Sequence, residues 1–201
     1  MDRNWLAEYA AYNPVCGVDE AGRGPLAGPV YAAAVILDSE TWIEGLDDSK
    51  RLSPQKREAL FDVICREAVS YGIAEATVAE IEALNILGAT YLAMNRAIAQ
   101  LNPRPALSLI DGNLDEGIVY PSCCIIKGDA TCPAIAAASI LAKVSRDRVM
   151  LELAERHPEY AFEQHKGYPT KLHYARLTEY GVSPVHRPSF LKKWRKGSEG
   201  R

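Results

Sequence analysis

The chain has 201 residues, 48% hydrophobic and 24% charged, a balance that excludes disordered and fibrous classes and suffices for one domain with its own core. Its formal net charge of −3 signals no general affinity for nucleic acid, and no apolar run approaches the roughly 20 residues of a membrane-spanning helix. The first fourteen residues include Asp2 and Glu8 and lack a basic stretch followed by an apolar one, so they do not read as a signal peptide. Five cysteines, two of them adjacent (Cys123 and Cys124), suit a reducing cytoplasm better than a disulfide framework. Without Cys-x-x-Cys or a spaced histidine pair, no structural zinc site is expected.

In chain order, Val15 to Asp19 reads as a short apolar strand and Pro29 to Leu37 as a second. The glycine-rich turn Gly22-Arg23-Gly24-Pro25 between them makes a hairpin possible. Ser53-Pro54 starts a helix with Ser as cap, and Leu60, Val63, Ile64 and Ala68 line one of its faces. Ile73 to Thr77 predicts a further strand. Thr77 and Glu80 form a capping box for a short helix over Val78 to Leu84, followed by a longer one over Leu87 to Leu101. Ala106 to Ile110 is an apolar strand ending at Asp111-Gly112, and Cys123 to Ile126 another, leading to Lys127-Gly128-Asp129. Pro133 opens a long helix through about Arg156, Thr170 starts one that Gly181 ends, and the basic tail from Lys192 is expected to fray. Strands first and alternation with helices later imply a mixed sheet flanked by helices, in one domain over 1–201 whose residues from about 155 form a helical appendage.

Four acids stand where strands or loops end: Asp19, Glu20, Asp111 and Asp129. Carboxylates beside apolar strands are costly unless paired or bound to a cation, and hard divalent ions prefer such oxygen ligands. Two ions about 4 Å apart can activate water and stabilise the leaving oxygen of a phosphodiester. Each acid could equally cap a turn or pair with a nearby base, Asp111-Gly112 being an ordinary turn dipeptide, and paired carboxylates also serve glycosidases. Residues alone leave those readings open.

Residues 1–142 carry 10 basic and 19 acidic residues, and residues 143–201 carry 13 and 7. That asymmetry suits metal ions at one end and phosphates at the other, although scattered solvated charge gives the same count. The segment from Gly22 to Gly28 misses the dinucleotide pattern by one residue and lacks a P-loop lysine. It could present backbone N–H groups to a substrate or simply close a hairpin. In Lys166-Gly167-Tyr168-Pro169-Thr170, Tyr168 could stack on a sugar or base and Lys166 meet phosphate; the alternative is a plain loop capped by Thr170. His165, His173 and His186 lack ligand spacing and are expected at the surface or the core edge.

Together these segments resemble ribonuclease HII, the bacterial type 2 ribonuclease H family. The resemblance rests on Gly17-Val18-Asp19-Glu20-Ala21-Gly22-Arg23-Gly24-Pro25, Asp48-Ser49-Lys50, Leu84-Asn85-Ile86-Leu87, Ile110-Asp111-Gly112 and Lys127-Gly128-Asp129. It continues in Ala138-Ser139-Ile140-Leu141-Ala142-Lys143-Val144, His165-Lys166-Gly167-Tyr168-Pro169-Thr170 and His186-Arg187-Pro188-Ser189-Phe190, in the family's order. The resemblance implies an α/β, RNase H-like fold with a C-terminal helical segment. It implies a metal-dependent endoribonuclease of ribonucleotide excision repair, acting on RNA–DNA hybrids and on DNA duplexes containing ribonucleotides; a cytoplasmic monomer is expected. By position, Asp19, Glu20, Asp111 and Asp129 are the metal-binding acids, for one or two Mn²⁺ or Mg²⁺ ions. Gly22, Arg23 and Gly24 match the turn that senses the 2′-hydroxyl, and Tyr168 the tyrosine that packs on the neighbouring deoxyribose. Lys50, Lys143 and Arg146 are candidate phosphate contacts, with ion pairing on a helix surface as the alternative. Arg51 replaces an expected second lysine after Lys50, which preserves charge.

Overall fold

Two apolar runs flanking the glycine turn form strands β1 (Val15–Ala21) and β2 (Val30–Ile36) in the computed structural model, which describes residues 5–194. They pair antiparallel, with Gly17 opposite Val35 and Ala21 opposite Tyr31, as the hairpin reading expected. Helix α1 (Pro54–Glu67) starts at Ser53, whose side chain accepts the Lys56 N–H, and buries Leu60 and Ile64. Strand β3 (Ser70–Ala76) begins three residues before the apolar run predicted, because its ladder with β2 continues to Ser70 opposite Ile36.

The capping box at Thr77 and Glu80 opens α2 (Val78–Ala99). The break expected near residue 85 is present as a kink: Asn85 has φ 59° and ψ 173°, and its Oδ1 accepts the N–H groups of Leu87 and Gly88 at 2.9 and 3.2 Å. It thus caps the second half of the helix from within. Strand β4 (Leu107–Asp111) runs parallel to β1, and β5 (Ser122–Ile125) parallel to β4. The five-stranded mixed sheet has the order β3-β2-β1-β4-β5. A one-turn helix α3 (Gly128–Thr131), unforeseen in the sequence, precedes α4 (Pro133–Arg156), whose limits match the prediction.

Side chains alternate across each strand, and the two faces bury against different helices. Val15, Val35, Leu107 and Leu109 meet α4 and α1, whereas Cys16, Val18, Ala34 and Ile110 meet α2. The first half of α4 is apolar all round and wholly buried, as expected of a helix embedded in a core. Its alanines let it approach β1 until a Cβ on Gly17 would lie 2.2 Å from the Ala134 carbonyl carbon and 2.3 Å from the Ile135 nitrogen. Only glycine fits there.

After α4 the chain turns through Pro158–Tyr160, α5 (Phe162–His165), α6 (Lys171–Tyr180) and Pro188–Leu191, a helical appendage as expected. It closes over Leu26, Ala27, Met150 and Leu153 and forms the third apolar cluster. Trp194 packs against that cluster, so the tail is anchored further than the fraying expected from Lys192; residues 195–201 lie outside the described residues. A 3₁₀ stretch at Trp5–Tyr12, also unforeseen, rests Trp5, Leu6 and Tyr9 on the core. Among the described residues no helix is long and apolar enough to cross a membrane.

The tight approach of α4 to β1 gives a direct test. Gly17→Ala is expected to destabilise the protein by roughly 1–3 kcal/mol or more, read from urea unfolding, because backbone rather than a movable side chain blocks the added methyl.

Candidate active site

Parallel strands end on the same side, and that places the acids. Val18 pairs with Ile110, and Asp111 with Ile125, so Asp19, Asp111 and the turn carrying Asp129 share the carboxyl ends of β1, β4 and β5. Crevices at such strand ends are the usual ligand sites of open α/β sheets. Asp19 continues the face of Val15 and Gly17, and Asp111 that of Leu107 and Leu109, so both look toward α4. Asp129 belongs to α3, and its backbone N–H donates to Asp111 Oδ1 at 3.2 Å.

Asp19 is only 4% exposed. Burial first, then the neighbouring Glu20 and Asp111, push its carboxyl well above the usual range, while the Ser139 hydroxyl and the Glu20 N–H (2.7 Å) oppose this. Ser139 is itself bonded to Ser49 at 2.9 Å, which ties the Asp48-Ser49-Lys50 loop to the acid. Burial also raises Glu20 and Asp129; Arg23 counteracts it at Glu20, and Asp111 adds to it at Asp129. Lys50 Nζ stands 3.6 Å from Asp129 Oδ2 and is drawn upward by Asp19, Asp48 and Asp129 against its own partial burial.

Among the described residues no three such groups form a ready-made metal cage. Glu20 pairs with Arg23 at 3.4 Å and Asp129 with Lys50. Mg²⁺-like ions need no full cage, since they bind through one or two carboxylates together with water and substrate phosphate. A buried Asp19 beside Asp111, with oxygen donors and no ion pair of its own among the described residues, fits that demand.

Two arginines shape the rim of the site: Arg146, expected as a phosphate contact or a helix-surface ion pair, and Arg187, to which the sequence assigned no role. Arg146 and Arg187 are fully buried and make no ion pair among the described residues. Their charges are met by backbone carbonyls instead. Arg187 donates to the carbonyls of Gly22, Arg23, Pro25, Gly28 and Pro29 at 2.8–3.1 Å. Arg146 donates to Ala27, Pro29 and Lys166 at 3.1–3.2 Å. Gly22, at φ +103°, runs so close that a Cβ there would meet Arg146 Nε at 2.1 Å. The Gly22–Pro29 turn is thus moulded on two guanidiniums and joined to the 166–168 loop. Arg146 is therefore no phosphate contact. A signal existed in the sequence: Ala142, Arg146, Met150 and Leu153 share one helical stripe, the buried one.

Tyr168 is 39% exposed on that loop, and a Cβ on Gly24 would lie 3.8 Å from its Cε1, so the turn and the tyrosine are neighbours. Lys143 Nζ bonds Asp147 Oδ1 at 2.7 Å and lies 5.9 Å from the Tyr168 ring centroid, which makes it a helix ion pair beneath the tyrosine. Lys166 Nζ donates to the Glu163 carbonyl at 2.6 Å. The three histidines depart from expectation. His165, His173 and His186 are buried, and His173 Nε2 meets His186 Nε2 at 3.1 Å.

A family model described as Ribonuclease HII matches residues 16–193. A Ribonuclease HII of Dechloromonas aromatica is 56% identical over 176 residues, 88% of this chain and 90% of that protein. One of Shewanella halifaxensis is 58% identical over 174 residues, 87% and 86% of the two chains. Among solved structures, the ribonuclease H2 from Pyrococcus horikoshii OT3 superposes with a TM-score of 0.72 at 28% identity, over 90% of this chain and 99% of that one.

Two outcomes follow from the buried polar groups. Arg187→Ala, which orphans several buried carbonyls, is expected to cost on the order of 3 kcal/mol or more in urea unfolding, and Arg187→Lys, with fewer donors, a smaller but measurable amount. Burial, then the neighbouring imidazole, brings His186 down to about 4, and burial brings His173 to about 4 as well. The unfolded chain therefore binds more protons, so their contribution is complete above the ordinary value of 6.5 and is lost as pH falls toward 4. Unfolding free energy measured from pH 7.5 to 4 should fall across that window, and by less in His173→Asn.

Proposed function

The chain belongs to the ribonuclease HII family, and we propose that it uses Asp19, Glu20, Asp111 and Asp129 to cleave at ribonucleotides with the help of divalent cations. It is an endoribonuclease that hydrolyses RNA paired with DNA and incises 5′ of single ribonucleotides in duplex DNA. The observation that carries the residue assignment is the burial of the Asp19 carboxyl beside Glu20 and Asp111, with no ion pair of its own among the described residues. Family membership also removes the glycosidase alternative that the acids alone left open.

Bound divalent cations supply activation of water and stabilisation of the leaving oxygen. Either Mn²⁺ or Mg²⁺ suits an all-oxygen donor set. The chain's own groups do the rest. Asp19 and Asp111 would hold divalent cations at the strand ends, and Glu20 and Asp129, paired with Arg23 and Lys50, would complete the oxygen donor set. The Gly22-Arg23-Gly24 backbone approaches the 2′-hydroxyl, the group that distinguishes RNA from DNA locally. Tyr168 packs on the adjoining deoxyribose, where an extra hydroxyl would be unwelcome. Lys50, 76% exposed at its side chain and close to Asp129, is placed to meet the scissile phosphate. Lys143 and Lys166 contact the substrate only if they leave Asp147 and the Glu163 carbonyl. Residues 158–191 are bound to the β1–β2 turn through Arg187, which supports one domain. Five free cysteines support a reducing, cytoplasmic site of action.

Incubation with duplex DNA containing one ribonucleotide tests this reading. Incision 5′ of the ribonucleotide, leaving 3′-hydroxyl and 5′-phosphate ends, is expected with Mn²⁺ or Mg²⁺ and not in EDTA. Asp111→Asn should lower the rate about a thousandfold, the loss of several kcal/mol of charge stabilisation, while substrate binding by gel shift persists. Metal-independent cutting, or Asp111→Asn at the wild-type rate, would remove the assignment.

A further inference from the structure

The histidines that flank the tyrosine loop form a chain with only one consistent arrangement of protons. The Ser183 N–H points at His186 Nδ1 (3.1 Å), so that nitrogen accepts and the His186 proton is on Nε2. His186 Nε2–H then donates to His173 Nε2 at 3.1 Å, which leaves the His173 proton on Nδ1. That Nδ1–H donates to the Tyr168 carbonyl at 3.0 Å. Beside them, Gly167 N–H donates to His165 Nδ1 at 3.1 Å, and His165 Nε2–H bonds the Tyr160 carbonyl at 3.0 Å. The rings of His165 and His173 stack at 4.3 Å, and Phe162 packs edge-on to both.

This chain begins in the loop that carries Arg187, the residue whose guanidinium shapes Gly22, Arg23 and Pro25, and it ends on the backbone of Tyr168. Lys143 and Arg146 lie over the tyrosine ring, 5.9 and 5.7 Å from its centroid. Its height above the turn depends also on the backbone, where the Tyr168 carbonyl is pinned by Thr170 N–H (2.8 Å) and His173. We propose that His186 and His173 are positioning residues that fix Tyr168 relative to the Gly22–Gly24 turn, and so set the preference for a ribonucleotide followed by a deoxyribonucleotide over continuous RNA. This rests on Tyr168 being the group that meets the deoxyribose. Neither histidine touches the acids or the substrate, so the effect falls on selectivity and not on the chemical step.

Cleavage of two metal-saturated substrates tests this: duplex DNA with one ribonucleotide, and a continuous RNA–DNA hybrid. In His173→Leu the ratio of kcat/KM on the first to that on the second should fall about three- to tenfold, the effect of losing one buried hydrogen bond, with the hybrid rate within about twofold of wild type. His173→Asn, whose amide can replace Nδ1–H, should restore the ratio. His186→Leu should lower it and His186→Gln, which keeps a donor toward His173, should not. The same variants report through the polar pair if His173→Leu fails to fold. Equal losses on both substrates, or an unchanged ratio in His173→Leu and His186→Leu, would overturn the proposal. Tyr168→Ala separates the two ideas: a lowered ratio there with unchanged histidine variants sinks the positioning role alone, whereas an unchanged ratio in Tyr168→Ala removes the tyrosine's assignment and the histidines' with it.

Discussion

The fold disfavours the charged form of the Asp19 carboxyl. This carboxyl is buried, faces Asp111, adjoins Glu20, and receives only an amide N–H and a hydroxyl. Removing a carboxylate from water while surrounding it with like charge is unfavourable unless a cation arrives, and the site's affinity for divalent metal is the other side of that cost. The surroundings hold this tension in place. Gly17 lets α4 press onto β1, which brings Ser139 to Asp19, and Ser139 in turn anchors Ser49 and the loop of Lys50. Lys50 stands 3.6 Å from Asp129 and also feels the Asp19 carboxyl, with no ion pair between Lys50 and Asp19 among the described residues.

Beside the turn a second buried charge problem is solved in the opposite way. Arg146 and Arg187 have no carboxylate partner among the described residues, and backbone carbonyls surround them. Such carbonyls must come from chain that is not engaged in a sheet or helix ladder, and the Gly22–Pro29 turn supplies them. The turn is consequently rigid without regular secondary structure. A rigid backbone loop beside a metal site is what reading a single hydroxyl requires, because a flexible one would lose the energy difference to rearrangement. The helical appendage brings Arg187, the tyrosine loop and the histidines to the far side of the turn.

Much of this was legible in the sequence where local rules dominate. The β1–β2 hairpin, the caps at Ser53, Thr77 and Thr170, the break at Asn85 and the limits of α4 all follow from short-range chemistry, and the structure has them. The four acids could be listed as candidates because they sit at strand ends, but their convergence depends on β1, β4 and β5 running parallel, a long-range fact no spacing reveals. Charge was misleading at Arg146, which reads as a surface cation until its place in the apolar stripe of α4 is followed. The histidines were misplaced for a related reason. Their burial depends on partners as far apart as residues 168 and 186, and imidazole is polar enough to look like surface when those partners are unknown.

The most direct test is to locate the cation itself. Crystals of the protein soaked in Mn²⁺, with data collected at the manganese absorption edge, should show an anomalous peak whose ion lies about 2.0–2.6 Å from carboxylate oxygens of Asp19 and Asp111. If manganese instead binds elsewhere, with the Asp19 carboxylate still bonded only to its amide and hydroxyl neighbours, the buried charge has another purpose and the account of catalysis is wrong.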